Sequence, residues 1–365
     1  MHITLAAALR LLILLPALPS LGGCSPPYLV HLGIGQSRIM LARTAYRDVL
    51  QDPGFAPRDK SMLLVVQEVK RFGEERMGLA HTNNFDSYVK LNREAVSWIV
   101  LAAEKTKLAS HQWWFPLVGR VPYKGYFSPE RAREEAKRMA RRGFDTHIQP
   151  VTAYSTLGYF ADPVFSTFLR YPESILPELI LHELTHATLF VKGQVDFNEG
   201  FATFVGHKGG LAFLEARYGP DSPLVEEAEA RFGDELAFGQ FISALSDRLE
   251  AFYSEPWPRE EMLVRRTEIF QEERLAFKEL QKSFSHNRYD GFAGAEWNNA
   301  LILGHRRYDG ELPQFEALYV NLGSDLRKVI DFFIQAEDRG EAPADALRRG
   351  ARMGNGGASS PKENP

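Results

Sequence analysis

Two histidines and two glutamates between residues 181 and 206 have the types and spacing of a catalytic metal site. His182, Glu183 and His186 form an HExxH element, and a helix would place its two histidines one turn apart on the same face. That arrangement suits two ligands of one zinc ion. Glu183 follows the first histidine directly, so it cannot join that face as a ligand, but it can reach water at the metal as a general base. The stretch therefore predicts a hydrolytic zinc site.

A third ligand should follow on the chain, because a catalytic zinc usually has three protein ligands and one open position. Glu199 is the candidate, thirteen residues after His186. A turn at residues 192–194 would end the first helix, and Asp196 or Asn198 would cap a second helix facing it across the metal. Because the first helix is apolar around the motif, these charged groups are expected to be buried, where they need a partner or a metal.

The order HExxH and then NExxA on a second helix resembles the gluzincin metallopeptidases, the class that includes thermolysin and the zinc aminopeptidases. The resemblance implies that the two histidines and Glu199 bind zinc and that Glu183 is the base. One position departs from the pattern: in many gluzincins an Asp four residues after the ligand Glu orients the first histidine, but this chain has Thr203 there. Since an outer partner fixes the tautomer of a ligand histidine, Thr203, Asn198 or a backbone carbonyl must serve instead.

Residues 1–23 have the pattern of an export signal and end beside the only cysteine of the chain. The apolar stretch at residues 5–18 is too short to span a bilayer as a mature helix. The LGGC sequence that follows resembles a bacterial lipobox, which implies cleavage before Cys24 and lipidation of that residue; the alternative is an ordinary signal with an incidental cysteine. The residue after the lipidated cysteine is Ser25 and not Asp, which in Gram-negative bacteria implies the outer membrane. We therefore expect a lipid-anchored envelope protein that faces the periplasm.

The composition is that of a globular protein. Hydrophobic residues make up 44% and charged residues 25%, which allows a sizeable core, and a net charge of −4 without long runs of like charge argues against a nucleic-acid partner. With no linker inside, we expect one metallopeptidase domain at 24–336, divided into an N-terminal part (24–145), the zinc-site core (146–215) and a helical C-terminal part (216–336). The charged, Gly-rich residues 337–365 predict a disordered tail.

The hydrophobic periodicity predicts an α+β fold that is predominantly helical, with a small edge-strand sheet beside the zinc helix. The resemblance implies that this fold is gluzincin-like. Helical patterns occupy residues 28–50, 59–78, 128–143, 222–253 and 259–284, then a helix opened by Trp297 and a last one capped by Ser324. The two longest patterns predict a helical hairpin, either a lid or, as its apolar stripes favour, a buttress. A β-branched run predicts a strand near residues 96–101.

An edge strand and a turn are predicted at residues 146–160, where β-branched and aromatic residues are interrupted by a proline and a glycine. In gluzincins an edge strand ahead of the metal helix binds the peptide backbone by strand addition. The resemblance therefore implies that the end of this strand, with Tyr154, Ser155, Thr156 and Gly158, binds substrate.

Three tyrosines are candidates for stabilising the oxyanion of the transition state. Hydration of a carbonyl needs a donor aimed at the developing charge, which a phenol can supply. Tyr154 and Tyr159 lie in the predicted strand, and Tyr308 lies on a later helix.

Six motifs together resemble a bacterial family of zinc aminopeptidases whose members are predicted lipoproteins. They are the lipobox, PYKGYF, AYSTLGYFADPVFSTFL, HELTH, FNEGFATFVG and WNNA, and the resemblance extends from about Cys24 to Asp331. It implies zinc as the cofactor, a peptide substrate and aminopeptidase activity.

Two other functions stay open. An aminopeptidase must neutralise the free ammonium of its substrate; if none of Asp162, Glu173 and Glu178 reaches the cleft, a zinc endopeptidase is favoured. The second open function is that of a zinc-binding lipoprotein, which binds an envelope partner and has no catalytic activity. The intact Glu183 argues against it, and His207 as a closing fourth ligand would argue for it.

Overall fold

Helices make up most of the fold, and the computed structural model describes residues 25–115, 119–153, 156 and 160–353. The helices, numbered α1 to α13 in chain order, are Pro26–Leu41, Tyr46–Gln51, Pro57–Phe72, Pro129–Arg141, Leu176–Thr188, Val195–Tyr218, Pro223–Ser254, Arg259–Gln281, Asp290–Gly294, Asn299–Asp309, Leu312–Asn321, Leu326–Asp338 and Pro343–Ala351. A π-helical turn at Gly73–Met77 continues α3, and Phe168–Arg170 forms a 3-10 turn. With its small sheets, this is the α+β and mostly helical architecture that the sequence predicts.

Short strands form small sheets ahead of the HExxH helix. The strands β1 to β8 are Thr44–Ala45, Ser87–Val89, Ser97–Ala103, Trp113–Phe115, Gly119–Val121, Tyr123–Tyr126, Asp145–Val151 and Val164–Phe165. In the described part of the chain they pair in the orders β1-β2-β8, β6-β3-β7 and β4-β5. The predicted strand near 96–101 is thus β3. Of the edge strand and turn predicted at 146–160, residues 146–151 lie in β7, which is at the edge of its sheet.

The β6-β3-β7 sheet separates two packing layers, because successive side chains of a strand point to opposite faces. On one face, Leu101 packs with Ala300 of α10. On the other face, Val100 packs with Ala132 of α4 and Tyr28 of α1. Leu101 is paired with Tyr123 of β6, so Tyr123 lies on the same side of the sheet as α10.

The pair of helices α5 and α6 is packed unusually closely, and glycines allow this. A Cβ on Gly206 would lie 2.8 Å from the carbonyl oxygen of Glu178, and one on Gly210 would lie 3.0 Å from the Glu178 nitrogen. A Cβ on Gly209 would lie 2.9 Å from the Leu181 side chain. A side chain at Gly206 or Gly210 would meet the backbone of α5 and separate the helices, so these two glycines set the distance across which side chains of α6 can reach the histidines of α5.

The long hairpin of α7 and α8 is present as predicted and has its own apolar cluster. Phe238, Phe277, Phe292 and Trp297 are buried together there, with edge-on ring contacts such as the 5.1 Å between Phe277 and Phe292. The hairpin is therefore a packed part of the core, which supports the buttress interpretation.

The C-terminal segment corrects one prediction. Residues 337–353 are ordered, whereas a disordered tail was expected from residue 337: α13 buries Ala346 and Leu347, and Asn321 of α11 donates to the carbonyl of Gly350. Because the segment is rich in charged and small residues, its composition predicted disorder and did not indicate the buried face of α13. Residues 354–365 of the predicted tail lie outside the described residues. The cap of α12 is Asp325, whose side chain accepts from two backbone amides, rather than the predicted Ser324.

The N-terminal helical pattern also differs from the prediction. Residues 28–50 form two helices, because Thr44 and Ala45 leave the helical path to pair with β2. Among the described residues, no helix is both long and apolar enough to cross a bilayer. Residues 1–24, which include the expected signal and Cys24, lie outside the described part.

Candidate metal centre

The three predicted ligands converge at the interface of α5 and α6. The Nε2 atoms of His182 and His186 are 3.2 Å apart, and Oε2 of Glu199 lies 3.5 Å from the first and 3.6 Å from the second. His182 and His186 are one turn apart on α5, and Glu199 faces them from the first turns of α6. The three donor atoms belong to one cluster that could hold a metal ion.

The spacing of these atoms fits zinc. Ligands bound at about 2.0–2.1 Å and at tetrahedral angles stand about 3.3–3.4 Å apart, close to the three observed distances. Two imidazoles and one carboxylate also form the donor set that suits zinc among the common divalent metals. The residues present therefore fit the ion that the sequence predicts.

Asn198 positions Glu199, its neighbour, by fixing the connection between the helices. Its side-chain oxygen accepts from the Val191 amide, and its side-chain nitrogen donates to the Val191 carbonyl. This bidentate contact holds the segment after α5 against the start of α6, whose cap position is Gln194 rather than Asp196 or Asn198. Asn198 thus uses both ends of its amide on Val191, and its predicted orienting role toward a histidine stays a prediction. Thr203 is buried on α6, and its predicted orienting role stays a prediction.

Glu183 is a buried carboxyl beside the metal ligands. Its residue is 7% exposed, and its Oε2 has no hydrogen-bond partner among the described residues. Burial raises the pKa of Glu183, the two histidines act in the opposite direction, and the charges of Glu199 and Asp162 raise it further. A carboxylate with a raised pKa is a stronger base, which is the property that proton abstraction near neutral pH requires.

Glu199 has the opposite electrostatic behaviour. Burial opposes its ionisation, but the adjacent His186 and His182 outweigh burial and hold the pKa of Glu199 well below its usual range. The two carboxyl groups thus differ by environment: the pKa of Glu199 is lowered, whereas that of Glu183 is raised. Environments that push two pKa values apart are a mark of acid and base assignments in active sites.

Two tyrosines, Tyr123 and Tyr308, are close enough to Glu199 for its charge to act on them, and Arg307 lies near both. Burial raises the pKa values of Tyr123 and Tyr308, and the charge of Glu199 raises both further, so each phenol stays a neutral hydrogen-bond donor. Arg307 is almost fully buried, donates to Asp196 from its Nε at 2.7 Å, and lies 5.8 Å from the Tyr123 ring. The charges of Glu199 and Glu183 act on Tyr308, whose role as an oxyanion donor stays a prediction.

Tyr123 lies near Glu199 and Glu183, although no sequence pattern indicates it as a site residue. It belongs to the PYKGYF motif, whose turn-rich, aromatic character is equally typical of a cleft loop and of core filling. Only the pairing of β6 with β3 directs it to the α10 side of the sheet.

The predicted substrate strand is described only in part. Tyr154, Ser155 and Gly158 lie outside the described residues, as does Tyr159. Thr156 is described, and its backbone amide donates to Oδ2 of Asp162 at 2.8 Å.

The three candidate acids for ammonium binding have different environments. Asp162 is buried, and its charge acts on Glu183. Glu173 contacts the Tyr218 hydroxyl on the surface, and Glu178 pairs with His207 and Arg231. Of the three acids, Asp162 is therefore the one that lies near Glu183.

A second group of residues, Glu178, His207 and Glu235, also has metal-ligand types within reach of one another. Here, however, cations already pair with the carboxylates. Arg231 lies 3.0 Å from Glu178, and Arg288 lies 3.3 Å from Glu235. Nδ1 of His207 lies 3.1 Å from Glu178, and its Nε2 contacts Glu235.

Both ring nitrogens of His207 therefore face carboxylates, as in an imidazolium that donates from each. Burial lowers its pKa, but Glu178 and Glu235 outweigh burial and raise the pKa of His207 to about 9. With His207 charged and two arginines present, a divalent cation would add positive charge to a site without spare anions. This buried network joins α5, α6 and α7 beyond the metal ligands, and His207 is not a fourth ligand.

Replacing His207 with Leu is expected to destabilise the fold by about 3–5 kcal/mol, because Glu178 and Glu235 lose a buried partner. The pKa of His207 is raised from 6.5 to about 9, so its contribution is fully present below about pH 6.5 and is lost as pH rises through about 9. Urea unfolding at pH 6 and pH 9 should therefore show a steeper loss of stability with pH in the parent than in His207→Leu. His81→Ala, which removes an exposed pair with Glu74, should cost less than about 1 kcal/mol. Equal pH slopes in parent and His207→Leu would contradict the assignment.

Comparison with known proteins gives one family match. A family model described as "Putative aminopeptidase" matches residues 27–348, which span the fold from α1 into α13 and include His182, Glu183, His186 and Glu199. No curated protein and no solved structure matches the chain.

Proposed function

Since the chain belongs to the putative aminopeptidase family, we propose that it is a zinc-dependent aminopeptidase of the gluzincin type. The observation that carries the proposal is the convergence of His182, His186 and Glu199 at zinc-ligand spacing, with the buried base Glu183 between the two histidines. A site of purely structural zinc has no need of such a base.

The chain's own residues account for the proton transfers. When bound, zinc would supply Lewis acidity, polarising the scissile carbonyl and making water a nucleophile near neutral pH. Glu183 accepts the proton of the attacking water and then delivers it to the nitrogen of the leaving amine. Its raised pKa suits both steps, since the same carboxyl must take and release one proton in each cycle.

Tyr308 and Tyr123 are proposed to stabilise the oxyanion. Both phenols lie where the charges of Glu199 and Glu183 act on them, and both stay protonated because their pKa values are raised. Tyr154, the other candidate from the sequence, keeps this role only as a prediction. A neutral donor aimed at the developing charge lowers the barrier without competing for the metal.

The edge strand β7 is proposed to bind the peptide backbone. An edge strand offers unpaired N–H and C=O groups to an extended peptide, and β7 leads directly toward the segment with Tyr154, Ser155, Thr156 and Gly158. Asp162, which fixes the Thr156 amide, is proposed to bind the free ammonium of the substrate.

Comparison of a peptide carrying a free N-terminus with its N-acetylated form tests the aminopeptidase proposal. The free peptide should be cleaved at least about 100-fold faster, because an acetylated amine cannot pair with a buried carboxylate. Asp162→Asn should raise KM for the free peptide by about tenfold or more, while Asp221→Asn, an exposed position on the surface, should change nothing.

Each other outcome identifies a different function. Equal cleavage of the two peptides would mean a zinc endopeptidase. Zinc binding without hydrolysis of any peptide would mean a zinc-bearing protein that binds an envelope partner. The same proposal includes a lipid anchor at Cys24 and a place at the outer membrane facing the periplasm, for which the LGGC sequence is the support.

A further inference from the structure

A groove of about 690 Å³ lies between α1, the segment after β2 and the start of α4. We call it the cationic groove, because the charged side chains that line it are Arg38, Lys90, Arg93 and Arg131. No carboxylate lines it among the described residues. In a chain with a net charge of −4, such a concentration of positive charge is a local feature and not a consequence of composition.

Three of the four cations of the groove are available to a ligand. Arg38, Lys90 and Arg131 are exposed, and none of the three has a salt-bridge partner in the part of the chain that is described. Neighbouring positive charges without counter-ions repel one another, so an anion that binds all of them is favoured.

The remaining polar residues give the groove a rigid wall. Arg93 donates to the carbonyls of Phe127 and Val96, which fixes its guanidinium. His31 accepts at Nε2 from the Phe127 amide, and burial together with the charge of Arg131 lowers its pKa. His31 is therefore neutral and shapes the wall without adding charge.

An exposed apolar strip borders the same groove on α1. Val30 is 59% exposed and Ile34 is 48% exposed, and both line the mouth of the groove. They lie one helical turn apart and so point to the same side. Apolar side chains beside cations on one face of a helix are typical of a surface that lies in a membrane interface.

The position of α1 in the chain points to the same partner. The helix begins at Pro26, two residues after Cys24, so Val30 and Ile34 are about 6–12 Å along the helix from its start. A bilayer that held the chain near Cys24 would be within reach of both the strip and the cations.

We propose that the cationic groove and the Val30–Ile34 strip rest on the bilayer, with anionic phospholipid phosphates between the cations and the two apolar side chains in the interface. Anionic headgroups complement Arg38, Lys90 and Arg131, and the apolar strip complements the acyl boundary. The proposal does not depend on the peptidase activity. It predicts that the protein binds membranes through its folded surface, besides any covalent anchor.

Vesicle co-sedimentation tests this surface. The protein used is the chain from residue 24 with Cys24→Ser, so that it carries no lipid. Binding to vesicles of phosphatidylglycerol and phosphatidylethanolamine should exceed binding to phosphatidylcholine vesicles and should weaken as salt is added. The double variant Lys90→Glu with Arg131→Glu should lose about tenfold or more in affinity. Ile34→Asn should lose several-fold even at low salt, because the apolar contact is not screened.

Matched controls separate this surface from general effects of charge and polarity. Lys107→Glu with Lys278→Glu makes the same change in net charge away from the groove, and Val264→Asn replaces an exposed apolar residue of α8. These variants should bind vesicles as the parent does, and thermal melts should verify that all variants are folded. Equal binding to both kinds of vesicle, no binding to either, or unchanged binding after reversal of Lys90 and Arg131 would overturn the proposal.

Discussion

Glu183→Gln is expected to reduce peptide hydrolysis by roughly a thousandfold or more while leaving one zinc bound. The amide of Gln cannot accept a proton, and general base catalysis contributes about 10²–10⁴-fold to such reactions. The metal should stay, because Glu183 follows His182 on α5 and is not part of the converging ligand set. Activity and zinc content, measured on the same preparation, check this prediction.

The control for this variant is Glu226→Gln, which makes the same chemical change at an exposed position of α7. It should retain full activity. Substantial turnover in Glu183→Gln would remove Glu183 from the mechanism, and loss of zinc from it would mean that Glu183 is a ligand.

Glu199→Ala is expected to lower zinc affinity by more than about 100-fold and so to abolish hydrolysis. Loss of an outer partner alone costs about 10–100-fold in metal affinity, and Glu199 is one of the three converging donors. Glu199→Gln should behave similarly, because a neutral amide oxygen is a poorer ligand for zinc than a carboxylate. Zinc content after dialysis against a weak chelator would measure the effect.

Glu215→Ala, an exposed change on the same helix α6, is the matched control and should keep its zinc. Circular dichroism would verify that each variant is folded, so that metal loss is not a consequence of unfolding. Zinc retained at the parent's affinity in both Glu199 variants would show that the ligand set is wrong.

A local sequence pattern could predict the site residues that lie together on one helix, α5. His182 and His186 share a face because they are four residues apart, and Glu183 is placed beside them by the same geometry. The need for a third ligand makes Glu199 a candidate, and the resemblance supports it, but its approach depends on the turn between the helices. That turn is fixed by Asn198, which the sequence indicated as a cap or as a partner of a histidine.

Other residues of the site could not be derived from local sequence. Tyr123 reaches the site through a strand pairing far from the HExxH motif along the chain, and no periodicity encodes such a contact. His207 belongs to a network whose members come from α5, α6, α7 and the segment after α8, so its isolated position on α6 carried no signal. Disorder was a wrong prediction for residues 337–353 for a related reason: composition alone does not show that Leu347 has a buried face to pack against.

The glycines of α6 affect how the two helices of the site open and close. Each glycine in a helix interior reduces intrinsic helix stability by about 1 kcal/mol relative to alanine, and Gly206, Gly209 and Gly210 stand within eleven residues of Glu199. The second half of α6 is therefore a poor helix when isolated, and its contacts with α5 stabilise it. The two helices should open and close as a single cooperative unit, with similar protection of their amides against hydrogen exchange. Local fraying of one helix alone would then be rare, and the two histidines and Glu199 would be ordered, or released, together.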